Sequence, residues 1–126
     1  MPDKPNIMVV DDEELVRDVL CENLTECGFN VAYARDGQEA LNMIDDGSEQ
    51  PQVVITDIIM PRKEGLEVIM ELRRRHPDIR LIAISGGGRT KSADFLHLAK
   101  KLGADAILPK PLDIDALEKT VRELLA

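Results

Sequence analysis

Short apolar runs alternate with amphipathic stretches along the whole chain. Asn6–Val10 (NIMVV), Asn30–Ala34 (NVAYA), Gln52–Thr56 (QVVIT), Arg80–Ser85 (RLIAIS) and Ala106–Leu108 (AIL) lack polar alternation. Runs this short and this apolar predict parallel strands covered on both faces. Between the first two, Val16, Val19, Leu20, Leu24 and Cys27 recur at helical spacing with charged residues among them. Asp36 followed by Glu39 forms a capping box ahead of Ala40, Leu41 and Ile44. A helix over Leu66–Arg75 should stop at His76-Pro77, and one over Ser92–Leu102 should end at Gly103. Asp113 can cap a last helix, Ile114–Leu125.

The pattern is five strand–helix pairs. Parallel strands joined by right-handed helical crossovers give an α/β fold, a doubly wound sheet with helices on both faces. With 126 residues, 44% hydrophobic and 32% charged, residues 1–126 make one soluble domain. No window nears the roughly 20 apolar residues of a membrane span, and no signal-peptide pattern opens the chain, so a cytoplasmic protein is expected.

The net charge of −8 disfavours nucleic-acid and anionic-membrane partners. Arg73-Arg74-Arg75 reads as a solvated helix end complementing the helix dipole, and Met60 and Met70 as packing residues. Cys21 and Cys27 fall on different helix faces, which argues against a local disulfide or a zinc site.

In such a sheet, ligands bind beyond the carboxyl ends of the strands. The first strand is followed by Asp11-Asp12 and Glu13-Glu14, the third by Asp57 and Ile58-Ile59-Met60-Pro61. The fourth ends in Ser85 and Gly86-Gly87-Gly88, the fifth in Pro109-Lys110-Pro111. Each has an ordinary structural reading when taken singly: acidic residues cap helices, a serine starts a turn, a lysine is a surface charge. Asp57 is harder to explain that way, since a carboxylate ending a buried strand costs free energy unless paired or metal-bound. Clustered carboxylates repel one another unless a cation sits among them. Oxygen donors without His or Cys point to Mg²⁺. A lysine and a hydroxyl beside them suit phosphoryl oxygens.

The pattern resembles the receiver domain of two-component response regulators, in particular the single-domain, CheY-like receivers, over Asn6–Leu125. The resemblance rests on Asp11-Asp12, on Asp57 with Met60-Pro61 and Gly65, on Ser85, and on Lys110-Pro111. It implies a flavodoxin-like three-layer sandwich of five helices on a five-stranded sheet in the order 2-1-3-4-5. It further implies that Asp57 accepts a phosphoryl group from a histidine kinase or histidine phosphotransfer protein. Asp12, Asp57 and the backbone carbonyl of Ile59 would hold Mg²⁺ directly, with Asp11 acting through water. Lys110 would pair with one phosphoryl oxygen and Ser85 hydrogen-bond another, while Gly86 leaves space beside the phosphate. A cis Lys110–Pro111 peptide would aim the lysine inward.

Two departures stand out. Ile107 occupies the position, three before the lysine, where receivers commonly carry Tyr or Phe, so the usual aromatic readout is unavailable. Ile59 falls where its side chain would shield the phosphoryl group, which predicts slow hydrolysis. Leu15 is offset from the apolar stripe of the first helix and is a candidate contact for a kinase helical bundle.

The expected function is that of a stand-alone receiver, a phosphorylation-controlled binding module without separate substrate turnover, as a monomer or a phosphorylation-dependent dimer. The alternative is a receiver excised from a larger regulator or hybrid histidine kinase. An aspartyl phosphatase would need a second Asp two residues after the nucleophile, where Ile59 stands. A flavodoxin-like cofactor carrier would need a hydroxyl-rich loop in place of Asp11–Glu14.

Overall fold

A computed structural model describes residues 4–57, 64–85, 97, 99–109 and 112–126. The strands β1 (Asn6–Val10), β2 (Asn30–Ala34), β3 (Val53–Asp57), β4 (Arg80–Ser85) and β5 (Ala106–Pro109) form one sheet in the order β2-β1-β3-β4-β5. All four pairings are parallel. The helices are α1 (Glu14–Glu26), α2 (Gly37–Asp45), α3 (Glu64–Arg75) and a C-terminal helix, Ile114–Leu125. Helical residues 99–102 precede Gly103 between β4 and β5.

Alternation along the strands sorts the core into two faces. Met8, Val10, Val54, Leu81 and Ala83 pack with Ala40, Leu41 and Ile44 of α2 and Val68, Ile69 and Leu72 of α3. Ile7, Val9, Val53, Ile55, Ile82 and Ile84 pack with Leu20 and Leu24 of α1 and with Leu117 and Val121 of the C-terminal helix. The result is the three-layer flavodoxin-like sandwich.

The strand and helix boundaries agree with the sequence pattern to within two residues, except that the C-terminal run of the fourth helix is described only at 97 and 99–102. The caps agree as well. Asp36 accepts the Glu39 amide at 2.8 Å, and Asp113 accepts the Asp115 amide at 2.9 Å. The capping box closes one residue early, because Glu39 reaches back to the Arg35 amide and guanidinium, both at 3.0 Å. Gly103 takes φ +123°, where its amide closes on Lys100 O and the next amide on Ala99 O. Cys21 and Cys27 are free thiols.

Four expectations need correction. The outer strands are covered less fully than the central ones: β2 and β5 lie at the sheet edges, most of their residues are half-buried or exposed, and Tyr33 is 52% exposed. An edge strand also tolerates Pro109, which lacks a backbone donor. Val19 is 54% exposed and leaves the buried stripe of α1, because helical spacing alone does not fix how wide a face the sheet covers. Met70 is an exposed side chain, not a packing one. Arg73 is no solvated charge: its guanidinium donates to the Gly103, Pro77 and Ile79 carbonyls and to Asp105.

Candidate functional site

The chain leaves β1 toward β2 on one side of the sheet, and β3 lies on β1's other side. That reversal of direction opens a crevice above the carboxyl ends of β1 and β3. Register aligns the strand ends there. Val10 pairs with Ala34 and Thr56, Asp57 with Ile84, and Ser85 with Pro109. Asp11 is therefore the first residue past β1, level with Asp57 at the end of β3. The Ser85 backbone ends β4 beside Pro109.

The carboxylates gather at this edge. Asp11, Asp12, Glu13 and Asp57 each offer an oxygen, and these oxygens lie within 4.8 Å of one another. Asp57 is 4% exposed and Asp11 is likewise buried, whereas Asp12 and Glu13 face solvent. Asp57 is carried on a strand buried at every residue, so the sheet core fixes its backbone. Thr56, buried beneath it, donates its hydroxyl to the Asp57 carbonyl at 3.1 Å.

Local hydrogen bonds shape the loop from β1 to α1. The Asp11 amide donates to Ala34 O at 3.3 Å. Asp11 Oδ1 accepts the Glu13 amide at 2.9 Å. Glu13 is the N-cap of α1 but makes no side-chain capping bond, which leaves its carboxylate available to the cluster. In sequence, Glu13 reads as one of the acidic residues that cap a helix or complement its dipole. Its adjacency to Asp12 was the available signal.

The second residue that reading missed is Arg17. It is 7% exposed and donates Nη1 to the Asp11 carbonyl at 3.1 Å. Its guanidinium lies over the Tyr33 ring, 4.9 Å from the centroid. An arginine among the charged residues of an amphipathic helix carries no sequence mark that distinguishes it from a solvated one.

Of the predicted site residues, Asp11, Asp12 and Asp57 come together as expected. Ser85 is at the same sheet edge by its backbone. Ile59, Met60, Pro61, Gly86–Gly88, Lys110 and Pro111 lie outside the described residues. Ile107 pairs with Ala83 and packs half-buried against the core of the α2–α3 face.

A family model for the response regulator receiver domain matches residues 7–122. The chain belongs to that family. It is a receiver domain of the two-component response-regulator type. It is 37% identical over 119 residues to the response regulator MprA of Mycolicibacterium vanbaalenii, covering 94% of this chain and 49% of that protein. The sensor kinase CckA of Brucella abortus is 34% identical over a segment covering 94% of this chain and 12% of that kinase. This chain therefore spans about half the length of the first relative and a small part of the second.

Among solved structures, the receiver domain of NtrX from Brucella abortus superposes with a TM-score of 0.84 at 31% identity, covering 94% of this chain and 97% of that one. A response regulator receiver domain from Clostridium thermocellum gives 0.87 at 28% identity, covering 96% of this chain and 94% of that one. Among the described residues no helix is long and apolar enough to cross a membrane.

Proposed function

We propose that this receiver takes a phosphoryl group on Asp57 from a phosphohistidine of a histidine kinase or phosphotransfer protein, and that the modified domain switches its binding to a downstream protein. The observation that carries this reading is a buried strand-end carboxylate, Asp57, with oxygens of Asp11, Asp12 and Glu13 within 4.8 Å. An all-oxygen donor set with no His or Cys fits a hard divalent cation of the Mg²⁺ class. Asp12 and Asp57 would hold it, with the Ile59 carbonyl, and with Asp11 through water. When bound, the metal offsets charge on the transferring phosphoryl group.

In the transfer, an Asp57 oxygen attacks phosphorus as the phosphorus–nitrogen bond breaks. The imidazole leaves with the bonding pair, and an acyl phosphate forms on Asp57. The nucleophile is a carboxylate, so the domain needs no general base. Positioning by β3 and charge compensation carry the chemistry. Lys110 and Ser85 are the proposed partners of the phosphoryl oxygens. Ile59 is proposed to shield the acyl phosphate from water, so Ile59→Asn should hydrolyse faster; an unchanged decay rate sinks that role.

Leu15 is 80% exposed on the first turn of α1, beside the acidic loop, which supports it as a contact for the phosphodonor protein. The domain acts in the cytoplasm, as a monomer or a phosphorylation-dependent dimer, without turning over a separate substrate. A second reading, a receiver within a longer regulator or hybrid kinase, is favoured by relatives of both architectures that extend well beyond the matched region. It uses the same site.

The deciding experiment incubates the protein with a small phosphodonor, with and without Mg²⁺, and follows intact mass for wild type and Asp57→Asn. One phosphoryl group gained only with metal, and only by wild type, is expected. No gain by wild type, or an equal gain by the variant, overturns the assignment.

A further inference from the structure

Resting on that reading of the acidic site, we propose that Arg17 is a positioning residue for the metal-ligand loop. It holds the peptide between Asp11 and Asp12 in place from α1 and ties that peptide to β2 through Tyr33.

Burial of a guanidinium is costly unless its donors are used. Arg17 is 7% exposed, and its Nε has no hydrogen-bond partner among the described residues. A solvated arginine on the outer face of α1 would avoid that cost. What the buried position provides is a contact to the loop: Nη1 reaches the Asp11 carbonyl at 3.1 Å. That carbonyl belongs to the peptide whose nitrogen begins Asp12. Fixing its plane sets the directions in which both aspartates leave the backbone.

The rest of Asp11 is held from other sides, by Ala34 O on its amide and the Glu13 amide on its carboxylate. Arg17 adds a restraint on the Asp11 carbonyl, in a loop whose N-cap residue makes no side-chain capping bond. The Tyr33 ring, 4.9 Å from the guanidinium carbon, orients the planar group. Lysine could supply the charge but neither the flat stacking surface nor the fork of donors.

Two simpler roles make different predictions. If Arg17 only compensated charge, Arg17→Lys would behave as wild type, and Arg17→Gln would bind a cation more tightly because a positive charge has gone. If it only stabilised the fold, melting would change and metal affinity would not. Positioning requires weaker metal binding in both variants.

The test measures Mn²⁺ binding from the loss of the free-ion paramagnetic signal, with Mg²⁺ competition, for wild type, Arg17→Lys, Arg17→Gln and Tyr33→Leu. The phosphorylation rate with a small acyl phosphate is followed as Mg²⁺ is varied. About tenfold weaker metal binding is expected for both Arg17 variants. A smaller loss in the same direction is expected for Tyr33→Leu, with rates recovering at saturating Mg²⁺. Wild-type affinity in Arg17→Lys, or tighter binding in Arg17→Gln, overturns the proposal. Should neither Arg17 variant fold, Tyr33→Leu decides alone, and unchanged affinity there overturns it. Wild type that binds no metal and gains no phosphoryl group defeats the site reading itself, a result distinct from variants that match a competent wild type.

Discussion

The two ends of the sheet treat charge in opposite ways. At the amino ends of β4 and β5, charges are matched. Arg73 binds Asp105 at 2.8 Å, Asp105 also accepts the Leu81 amide at 2.8 Å, and Arg75 and His76 both meet Asp45. At the carboxyl ends of β1 and β3, four carboxylates crowd within 4.8 Å, two of them buried. Networks of opposite charges fix structure, whereas carboxylates gathered side by side repel one another and point to a ligand site. The same scaffold thus separates the region that holds it together from the region proposed to accept the phosphoryl group.

If that separation is real, damage at the matched end should cost stability and spare the site. Arg73→Met leaves the Gly103 carbonyl without two donors and Asp105 with only the more distant Arg80, at 3.9 Å. A loss of about 3 kcal/mol in urea unfolding is expected, with Mg²⁺ affinity unchanged. Loss of metal binding in the folded variant would show that the two ends are coupled. Gly103→Ala probes the same junction more gently. At φ +123° a side chain is strained, and the new Cβ would meet Arg73 Cγ at 3.1 Å. About 2 kcal/mol of destabilisation is expected, again without effect on the site.

The matched end was also the less legible of the two in sequence. Asp11, Asp12 and Asp57 are readable because each directly follows or ends an apolar run, and strand ends converge by topology alone. Arg73 and Asp105 are 32 residues apart, and no local pattern links them. The arginine triplet therefore reads as solvent-facing until the turn at Gly103 brings a carbonyl and a carboxylate to it. Arg17 escaped notice for the same reason, since its carbonyl partner and aromatic neighbour lie on other elements. Val19 and Met70 err the other way. Apolar residues at helical spacing state which face is available, and the sheet decides how much of it is covered.

At the acidic end the sign should reverse. Asp57→Asn removes one of the clustered charges, so the metal-free variant should unfold about 1 kcal/mol less readily than wild type while losing phosphoryl acceptance. Saturating Mg²⁺ should stabilise wild type by linkage and leave the variant nearly unaffected, closing the gap in a thermal melt. An Asp57→Asn variant less stable than metal-free wild type would mean that Asp57 serves the fold, and the contrast between the two ends would fail.

The smallest effect concerns pH at the matched end. The hydrogen bond from His76 to Asp45, together with Arg75, holds the Asp45 carboxyl below its ordinary value of 3.8. A carboxyl depressed by folding contributes stability that is fully present above its unfolded value and is lost as pH falls through the folded one. The link between the ends of α2 and α3 should therefore weaken only below about pH 4, and Asp45→Asn should flatten the acid limb of the stability profile there. Because the pair is solvent-exposed, the flattening should be slight and should shrink as salt is raised. An identical acid limb in wild type and Asp45→Asn at low salt would show that this part of the network orders the surface without stabilising it, leaving Arg73 and Asp105 to account for the strength of the matched end.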